Sequence, residues 1–300
     1  METKTRAYLY IGALLVVLIS LSLVILEQKK ILGLVPGVNI TTSNVSMTVS
    51  VGNNPPTVAV TLESSVAPYA FNTQQIHCNV TAVDANGASD ISGVNVTFYN
   101  TTAGETGSSD KLSRYFNYSC ARSESAGNVA LYNCTLILYW YASQGGWTCK
   151  AYVNDSAQNV VSGTATTNMD MCIGIGTDPT STLDFGPSIV PGGTSNQTTN
   201  VSNRCNQRID LKTEGEHFCL TSCTSTMLIG NVTYGFSKDA AAIGSSVPLG
   251  GTGSFNSTYN LEPQISDTTS NLTHYFMLKV LVGQASGSYT GYLNLTAQTG

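Results

Sequence analysis

Cysteines carry the clearest chemistry in this sequence. There are eight among the 300 residues, all after position 30. Four fall in each half of the remaining chain: Cys78, Cys120, Cys134, Cys149, Cys172, Cys205, Cys219 and Cys223. Thiols in even numbers form disulfides in an oxidising compartment, whereas closely spaced thiols also suit a metal ion.

Metal ligation is the weaker interpretation. The cluster best suited to zinc comprises Cys205, His217, Cys219 and Cys223. It lacks the second closely spaced cysteine pair that tetrahedral sites usually have, so we expect disulfides. A bond between Cys219 and Cys223 would close a tight ring. We therefore favour bonds from Cys172 and Cys205 to these two residues.

Asp84, Asn86 and Asp90 are candidate calcium ligands, because they place side-chain oxygens around a glycine. Asp and Asn also favour turns by themselves. Because turn formation alone explains them, we predict no resident metal or cofactor and keep the three residues only as calcium candidates.

No catalytic motif is found. The histidines are His77, His217 and His274, and none lies in a nucleophile or metalloprotease motif. Asp210, Glu214 and Glu216 could be arranged as the paired carboxylates of a glycosidase, but we favour a solvated loop, because three acids around a turn need no catalytic explanation. We expect a protein that is not an enzyme. Residues 31–300 contain nine basic and 16 acidic residues and no basic block, which argues against a nucleic-acid partner.

Alternating apolar and polar residues predict β-strands from position 57 onward. Short runs of period two, separated by turn residues such as Asn86-Gly87, are typical of half-buried antiparallel strands. No long segment shows a helical period, and only 10% of residues are charged, as in many extracellular β domains. We predict one β-sandwich at 57–170 and another at 171–300.

Residues 1–30 are predicted to form a transmembrane or signal-anchor helix. Positions 7–26 are an uncharged run of 20 residues, and a rise of about 1.5 Å per residue lets it cross a hydrocarbon core of about 30 Å. A cleaved signal peptide is an alternative. Another is a leader cut after Arg6, which resembles archaeal type IV pilin leaders. Residues 31–56 are predicted to be a linker or stalk with one possible strand at 46–51.

Fourteen Asn-x-Ser/Thr sequons follow the membrane segment. Their asparagines are Asn39, Asn44, Asn79, Asn95, Asn100, Asn117, Asn133, Asn154, Asn196, Asn200, Asn231, Asn256, Asn271 and Asn294. In a strand, the middle residue of a sequon faces away from its Asn and should be apolar if the Asn faces solvent. It is apolar at Val80, Val96, Tyr118, Cys134, Val201, Val232, Leu272 and Leu295. The pattern supports strands with solvent-facing glycosylation sites.

Two stretches resemble known surface modules. Residues 55–168, with the runs VDANG (83–87), VNVT (94–97) and VNDSA (153–157), resemble immunoglobulin-like and PKD-like repeats of prokaryotic surface proteins. Residues 183–297, with LDFG (183–186), PGG (191–193) and SYTGYL (288–293), are similar to β-sandwich modules of archaeal envelope proteins and fibre subunits. These families imply adhesion, envelope structure or filament assembly, without catalytic residues.

The immunoglobulin-like resemblance implies an inter-sheet bridge between Cys78 and Cys149, which both lie on the predicted inward face. Cys120 and Cys134 then remain and would staple a hairpin.

Tyr139, Trp140, Tyr141 and Trp147 form an aromatic group. Alternation assigns the two tryptophans to the core and leaves Tyr139 and Tyr141 facing outward, as candidate contacts for a partner.

Together these features predict an all-β ectodomain of two antiparallel immunoglobulin-like β-sandwiches after an N-terminal transmembrane helix. The leading function is a membrane-anchored, glycosylated structural or adhesive protein at the cell surface. One alternative is a subunit of an extracellular filament, assembled by strand addition or by a pilin-like helix. Another is a secreted carbohydrate-binding module. The expected partners are the membrane, other copies of the chain, other envelope proteins and glycans.

Overall fold

A computed structural model of the chain describes residues 18–20, 45–178, 182–235, 247–250, 256–266 and 271–300. Met1–Gly52 and Asn53–Gly300 are two separate compact units. Apart from the helical residues 18–20, the predicted transmembrane helix and its alternatives lie outside the described residues. Within the described part of the chain, no helix is long and apolar enough to cross a bilayer.

The possible strand at 46–51 is not paired with any of the described strands. Residues 45–52 are exposed and have no regular secondary structure. The alternation of apolar and polar residues is there, but none of the described strands pairs with this segment. A strand needs a neighbour to accept and donate its backbone hydrogen bonds.

The prediction of an all-β chain is confirmed from position 57 onward. The strands of the first half are β1 (Thr57–Thr61), β2 (Ser65–Val66), β3 (Gln74–Val83), β4 (Ile91–Asn100), β5 (Arg114–Asn117), β6 (Ala121–Ala126), β7 (Val129–Leu138), β8 (Gly145–Asp155) and β9 (Val160–Met169). Those of the second half are β10 (Ile175–Asp178), β11 (Thr194–Asn203), β12 (Ile209–Gly215), β13 (Phe218–Leu220), β14 (Thr226–Met227), β15 (Val232–Gly235), β16 (Val247–Pro248), β17 (Asn256–Leu261), β18 (Asn271–Lys279), β19 (Tyr289–Thr290) and β20 (Leu293–Thr299). Short 3-10 helices lie at Ala88–Asp90, Thr221–Cys223 and Ile229–Asn231.

The first half is an immunoglobulin-like sandwich. One sheet has the order β1-β3-β7-β6 and the other the order β2-β9-β8-β4-β5. The first order is the ABED sheet of the immunoglobulin fold, and β9-β8-β4 is its GFC sheet, with one extra strand at each edge. The pairs are antiparallel except that of β2 with β9, which is parallel.

The core of this sandwich surrounds a disulfide between the sheets. Cys78 of β3 is bonded to Cys149 of β8, and both residues are fully buried. Trp147, two residues before Cys149, stacks on Phe98 of β4 with ring centroids 4.7 Å apart. Strands β3 and β7 bury nearly every second residue, as their sequence pattern predicts.

The second half contains the sheets β10-β11-β18-β15-β16, β17-β12-β20 and β14-β13-β19. Its strands β10, β11, β12, β18 and β20 pair with one another as β1, β3, β4, β7 and β8 do in the first half. Strands β15 and β17 take the places of β6 and β5 in reverse chain order. A counterpart of β9 is not among the described strands. The expectation of a second complete immunoglobulin-like sandwich is therefore corrected, since period-two patterning identifies strands but not their order.

The two halves pack against each other near residue 170. Trp140 donates from Nε1 to Oε1 of Gln264 at 3.3 Å, and the N–H of Phe71 donates to the carbonyl of Arg204 at 3.2 Å. None of the described strand pairs crosses this junction. Among the described residues, side chains and loops join the halves, and Asn53–Gly300 is one compact unit.

Candidate functional site

Three aspartates meet at one end of the first sandwich. Asp84 directly follows β3, Asp90 ends the 3-10 helix before β4, and Asp155 is the last residue of β8. One carboxylate oxygen of each lies within 4.8 Å of the other two. Asp84 and Asp155 are buried, and Asp90 is half-buried. We call these three residues the aspartate cluster.

Two carboxylate oxygens of the cluster have no hydrogen-bond partner. Asp84 accepts the N–H of Asn86 at 2.7 Å through Oδ1, and Asp90 accepts the hydroxyl of Ser156 through Oδ1. The Oδ2 atoms of Asp84 and Asp90 are buried, and among the described residues neither finds a donor. Buried polar atoms are nearly always paired, so two such atoms in one cluster require an explanation.

Asp155 is held in place by neighbouring amides. Its Oδ1 accepts the N–H of Asn159 at 2.8 Å, and its Oδ2 accepts both Nδ2 of Asn159 and Nδ2 of Asn53 at 2.7 Å. Burial raises the pKa of Asp155, but the hydrogen bonds from Asn159 and Asn53 outweigh it and leave the pKa below its ordinary value. The carboxylate is therefore ionised at neutral pH.

The sequence identified only part of this cluster. Asp84 and Asp90 are calcium candidates from the sequence, and both belong to it. Asn86 is exposed, and its Oδ1 accepts the N–H of Asn54 at 2.9 Å, so it fixes the chain near the start of the compact unit. Asp155 was missed, because it approaches the other two only through the pairing of β8 with β4, in which it lies opposite Ile91.

The aromatic group does not form the predicted contact surface. Tyr141 is 1% exposed, and Tyr139 is half-buried against the core of the first sandwich. Strand β7 ends at Leu138, and the N–H of Ala142 then closes a turn on the carbonyl of Tyr139. The alternation that assigned Tyr141 to the outside stops where the strand stops. Trp140, assigned to the core, is instead half-buried in the junction between the halves.

A large groove with both polar and apolar lining residues lies in the second half, beside β20. It has a volume of about 1770 Å³ and is lined by the loop of residues 182–191 and by parts of β10, β18 and β20. Apolar lining residues include Ile175, Leu183, Phe185, Phe276, Leu278 and Leu295. Strand β20 has β12 as its single partner among the described strands. In the first sandwich, β8, the counterpart of β20, pairs with β9 on its other side. We call it the β20 groove.

All eight cysteines are bonded in pairs. Cys78–Cys149 and Cys120–Cys134 are the pairs expected from the sequence. In the second half the pairs are Cys172–Cys205 and Cys219–Cys223, which corrects the expected connectivity. The Cys219–Cys223 bond closes a tight ring, because Ser222 and Cys223 adopt left-handed backbone conformations, with φ of 59° and 56°. No thiolate remains for the zinc site considered above.

The structure sorts the sequons by accessibility. Asn79, Asn196, Asn271 and Asn294 are exposed. Asn100 is buried, and the side-chain nitrogen of Asn231 is buried as well. Asn39, Asn44 and the side chain of Asn256 lie outside the described residues. The other sequon asparagines are half-buried: Asn95, Asn117, Asn133, Asn154 and Asn200.

Tyr118, the expected inward residue of one sequon, is 80% exposed. It follows the last residue of β5, so the alternation of that strand does not reach it.

The acidic residues of the second half are not in the predicted loop. Asp210 and Glu214 lie on β12, and Glu216 follows it. Asp210 is buried, whereas Glu214 forms an ion pair with Lys212 at 2.8 Å. Strand pairing with β20 thus extends through residues that looked like a turn because of their charge.

No family model and no curated protein matches this chain. Similar solved structures include the CsuC-CsuE chaperone-tip adhesion subunit complex of Csu pili from Acinetobacter baumannii, at 10% identity over 81% of this chain and 100% of that chain, with a TM-score of 0.38. E. coli alpha-2-macroglobulin has 11% identity over 79% of this chain and 16% of that chain, with a TM-score of 0.26. The C-terminal domain of the Streptococcus pyogenes antigen I/II-family protein AspA has 12% identity over 82% of this chain and 99% of that chain, with a TM-score of 0.25.

Proposed function

We propose that the chain is an extracellular surface protein with a structural or adhesive role, glycosylated on its strand faces and anchored through residues 7–26. One observation carries the proposal: all eight cysteines are bonded in four disulfides. Disulfides persist in oxidising compartments and are rare in the reducing cytosol. A role without catalysis is part of the proposal.

The composition of the chain supports the same location. The polar surface of the strands is built mainly from Ser, Thr and Asn, and sequon asparagines on both halves are exposed. A weakly charged surface of this kind gains solubility from attached glycans.

The test is cell fractionation followed by intact-mass measurement. We expect the protein in the envelope or extracellular fraction, with a mass that falls on enzymatic deglycosylation. Alkylation should label eight cysteines only after reduction. A cytosolic protein of unchanged mass with eight reactive thiols would overturn the proposal.

A second candidate function is a filament subunit assembled by strand addition. Val45, Met47, Val49 and Val51 alternate with Ser and Thr, and their side chains are 79%, 93%, 86% and 82% exposed. An extended segment of this kind offers one apolar face, and its backbone N–H and C=O groups can form hydrogen bonds with a neighbouring strand. The apolar face of this segment, which has no partner among the described strands, is complementary to the apolar residues in the β20 groove.

The β20 groove suits an extended chain better than a small molecule. Its volume of about 1770 Å³ exceeds the roughly 300–1,000 Å³ of ordinary small-molecule sites. A strand placed there would hydrogen-bond to the edge of β20 that has no partner among the described strands, and it would bury its alternate side chains against Phe276 and Leu278. In this candidate function, residues 45–51 of one copy occupy the groove of the next.

Substitutions on the two faces of the segment test this second function. Met47→Lys with Val49→Lys should abolish assemblies seen by electron microscopy and light scattering, because charged side chains would replace the apolar contacts with Phe276 and Leu278. Thr48→Lys with Ser50→Lys changes the charge equally on the other face and should leave assembly intact. Equal effects of both pairs, or a protein that never assembles, would contradict strand addition.

A further inference from the structure

We propose that the aspartate cluster of Asp84, Asp90 and Asp155 is a calcium site that fastens the beginning of the compact unit to the first sandwich. The proposal is independent of the cellular role proposed above. It rests on three observations: the buried charge, the two unpartnered oxygens and the supporting amides.

The charge of the cluster calls for a cation. Three carboxylates converge, and none of the ion pairs among the described residues includes them. Buried charges are normally paired with an opposite charge or bound to a metal ion. Without a cation, three like charges at this distance repel one another and oppose folding.

The unpartnered atoms show where the cation would bind. Oδ2 of Asp84 and Oδ2 of Asp90 are buried and receive no hydrogen bond, while the other oxygen of each residue is already used. Asp84 is 0% exposed, so its free oxygen cannot be satisfied by bulk water. A carboxylate oxygen has two lone pairs, so Asp155 retains ligand capacity beyond its hydrogen bonds.

The donor set selects calcium among common metal ions. All three ligands are carboxylates, and neither a histidine nor a cysteine takes part. Calcium binds oxygen ligands at about 2.3–2.6 Å, so oxygens within 4.8 Å of one another fit around one ion. Magnesium uses one or two carboxylates, keeps most of its waters and requires shorter distances. Zinc prefers nitrogen and sulfur.

Binding would hold distant parts of the chain together. Asn53 donates to Asp155, and Asn54 donates to Asn86, which in turn donates to Asp84. These contacts orient the carboxylates in the way that outer residues orient metal ligands. The ion would therefore fix the Asn53–Asn54 end of the compact unit to the loops before β4 and after β8.

The test is calcium titration of the purified, disulfide-bonded full chain after chelator treatment. We expect a dissociation constant of about 10⁻⁴–10⁻³ M, the range of extracellular calcium modules. The unfolding temperature should rise with CaCl₂ and far less with equal MgCl₂. Asp84→Asn and Asp90→Asn should each weaken binding by about tenfold or more, because ligand charge sets affinity. Glu124→Gln, an exposed acid on β6, is the matched control and should bind as the parent does.

A second readout separates a metal site from a purely structural cluster. Without calcium, Asp84→Asn should raise the unfolding temperature, since it removes one of three repelling charges; with calcium it should lose the rise that the parent shows. Limited proteolysis near residues 50–56 should slow on calcium addition in the parent and not in Asp90→Asn. The proposal fails if CaCl₂ at about 10 mM, well above that range, does not shift the parent. It also fails if both variants keep the parent's shift.

Discussion

Asn206, which follows β11 closely in the second half, donates from Nδ2 to the carbonyl oxygen of Ala142 in the first half at 2.9 Å. The same nitrogen donates to the carbonyl of Asp170 at 3.0 Å, and Oδ1 accepts the N–H of Cys172 at 2.8 Å. The side chain is 5% exposed. Three backbone groups at the junction thus depend on a single amide.

Asn206→Ala should strongly destabilise the compact unit. An unsatisfied buried polar group costs about 1–3 kcal/mol, so we expect a loss of at least about 3 kcal/mol in urea unfolding. Asn206→Asp keeps the acceptor for Cys172 but loses both donor bonds. Asn128→Ala, at an exposed asparagine, should change stability by less than about 0.5 kcal/mol. A junction variant as stable as this control would show that the halves do not depend on Asn206.

Removing different disulfides should have very different effects. Cys78 and Cys149 are 71 residues apart, and Cys219 and Cys223 are four apart. Loop-closure entropy grows with the enclosed length, which predicts losses of about 4 kcal/mol for the first pair and about 2 kcal/mol for the second. Double substitutions to alanine, compared by urea unfolding, measure the difference. Equal losses would show that strain or packing outweighs chain entropy.

His274 should make the second half sensitive to acid. Burial lowers the pKa of His274 from 6.5 to about 4, because the imidazolium ion would lose its hydration. In the unfolded chain, His274 becomes protonated as the pH falls below 6.5. In the folded chain it stays neutral until about pH 4. The contribution of neutral His274 to the free energy of unfolding is therefore fully present above pH 6.5. It is lost as the pH falls to 4, which lowers the stability by about 3 kcal/mol. Urea midpoints of the parent should fall over this window.

His274→Gln, which cannot titrate, should flatten that decline. A pH profile of His274→Gln that parallels the parent's would place the acid sensitivity elsewhere.

Glycan attachment should follow accessibility rather than motif. Asn79→Gln and Asn294→Gln remove exposed acceptors, so each should reduce the intact mass by one glycan. Asn100→Gln should leave the mass of attached glycan unchanged, because its Oδ1 accepts the N–H groups of Thr102 and Ala103 within the fold. Peptide mapping before and after deglycosylation gives the occupancy. A glycan on Asn100 would show that attachment precedes folding of this turn.

The sequence predicts most strands because burial imposes a local pattern. In β3, Ile76, Cys78, Val80 and Ala82 are buried and are spaced by two. The pattern has no information on where a strand stops, which is why Tyr141 was assigned to the outside although β7 ends at Leu138. Strand ends depend on pairing with neighbours that lie far away in the sequence.

The candidate site was only partly predictable for the same reason. Asp84 and Asp90 are close in the sequence and lie on either side of one turn. Asp155, in contrast, lies at the end of β8, which pairs with β4. The connectivity of Cys219 with Cys223 depends on two left-handed residues in a short turn. Both features are set by backbone geometry that composition and spacing do not encode.

The parallel pairing of β2 with β9 has a mechanical consequence. Ser65 lies beside Asn168, and Val66 lies beside Met169. The first residue of each pair is near the start of the chain segment that forms the first sandwich, and the second is near its end. Tension applied before β1 and after β9 would pull these two strands in opposite directions along their length. Their hydrogen bonds would then be loaded together in shear instead of opening one at a time, as happens when a hairpin is unzipped. The short pairing of β2 with β9 would therefore resist a pulling force on the chain.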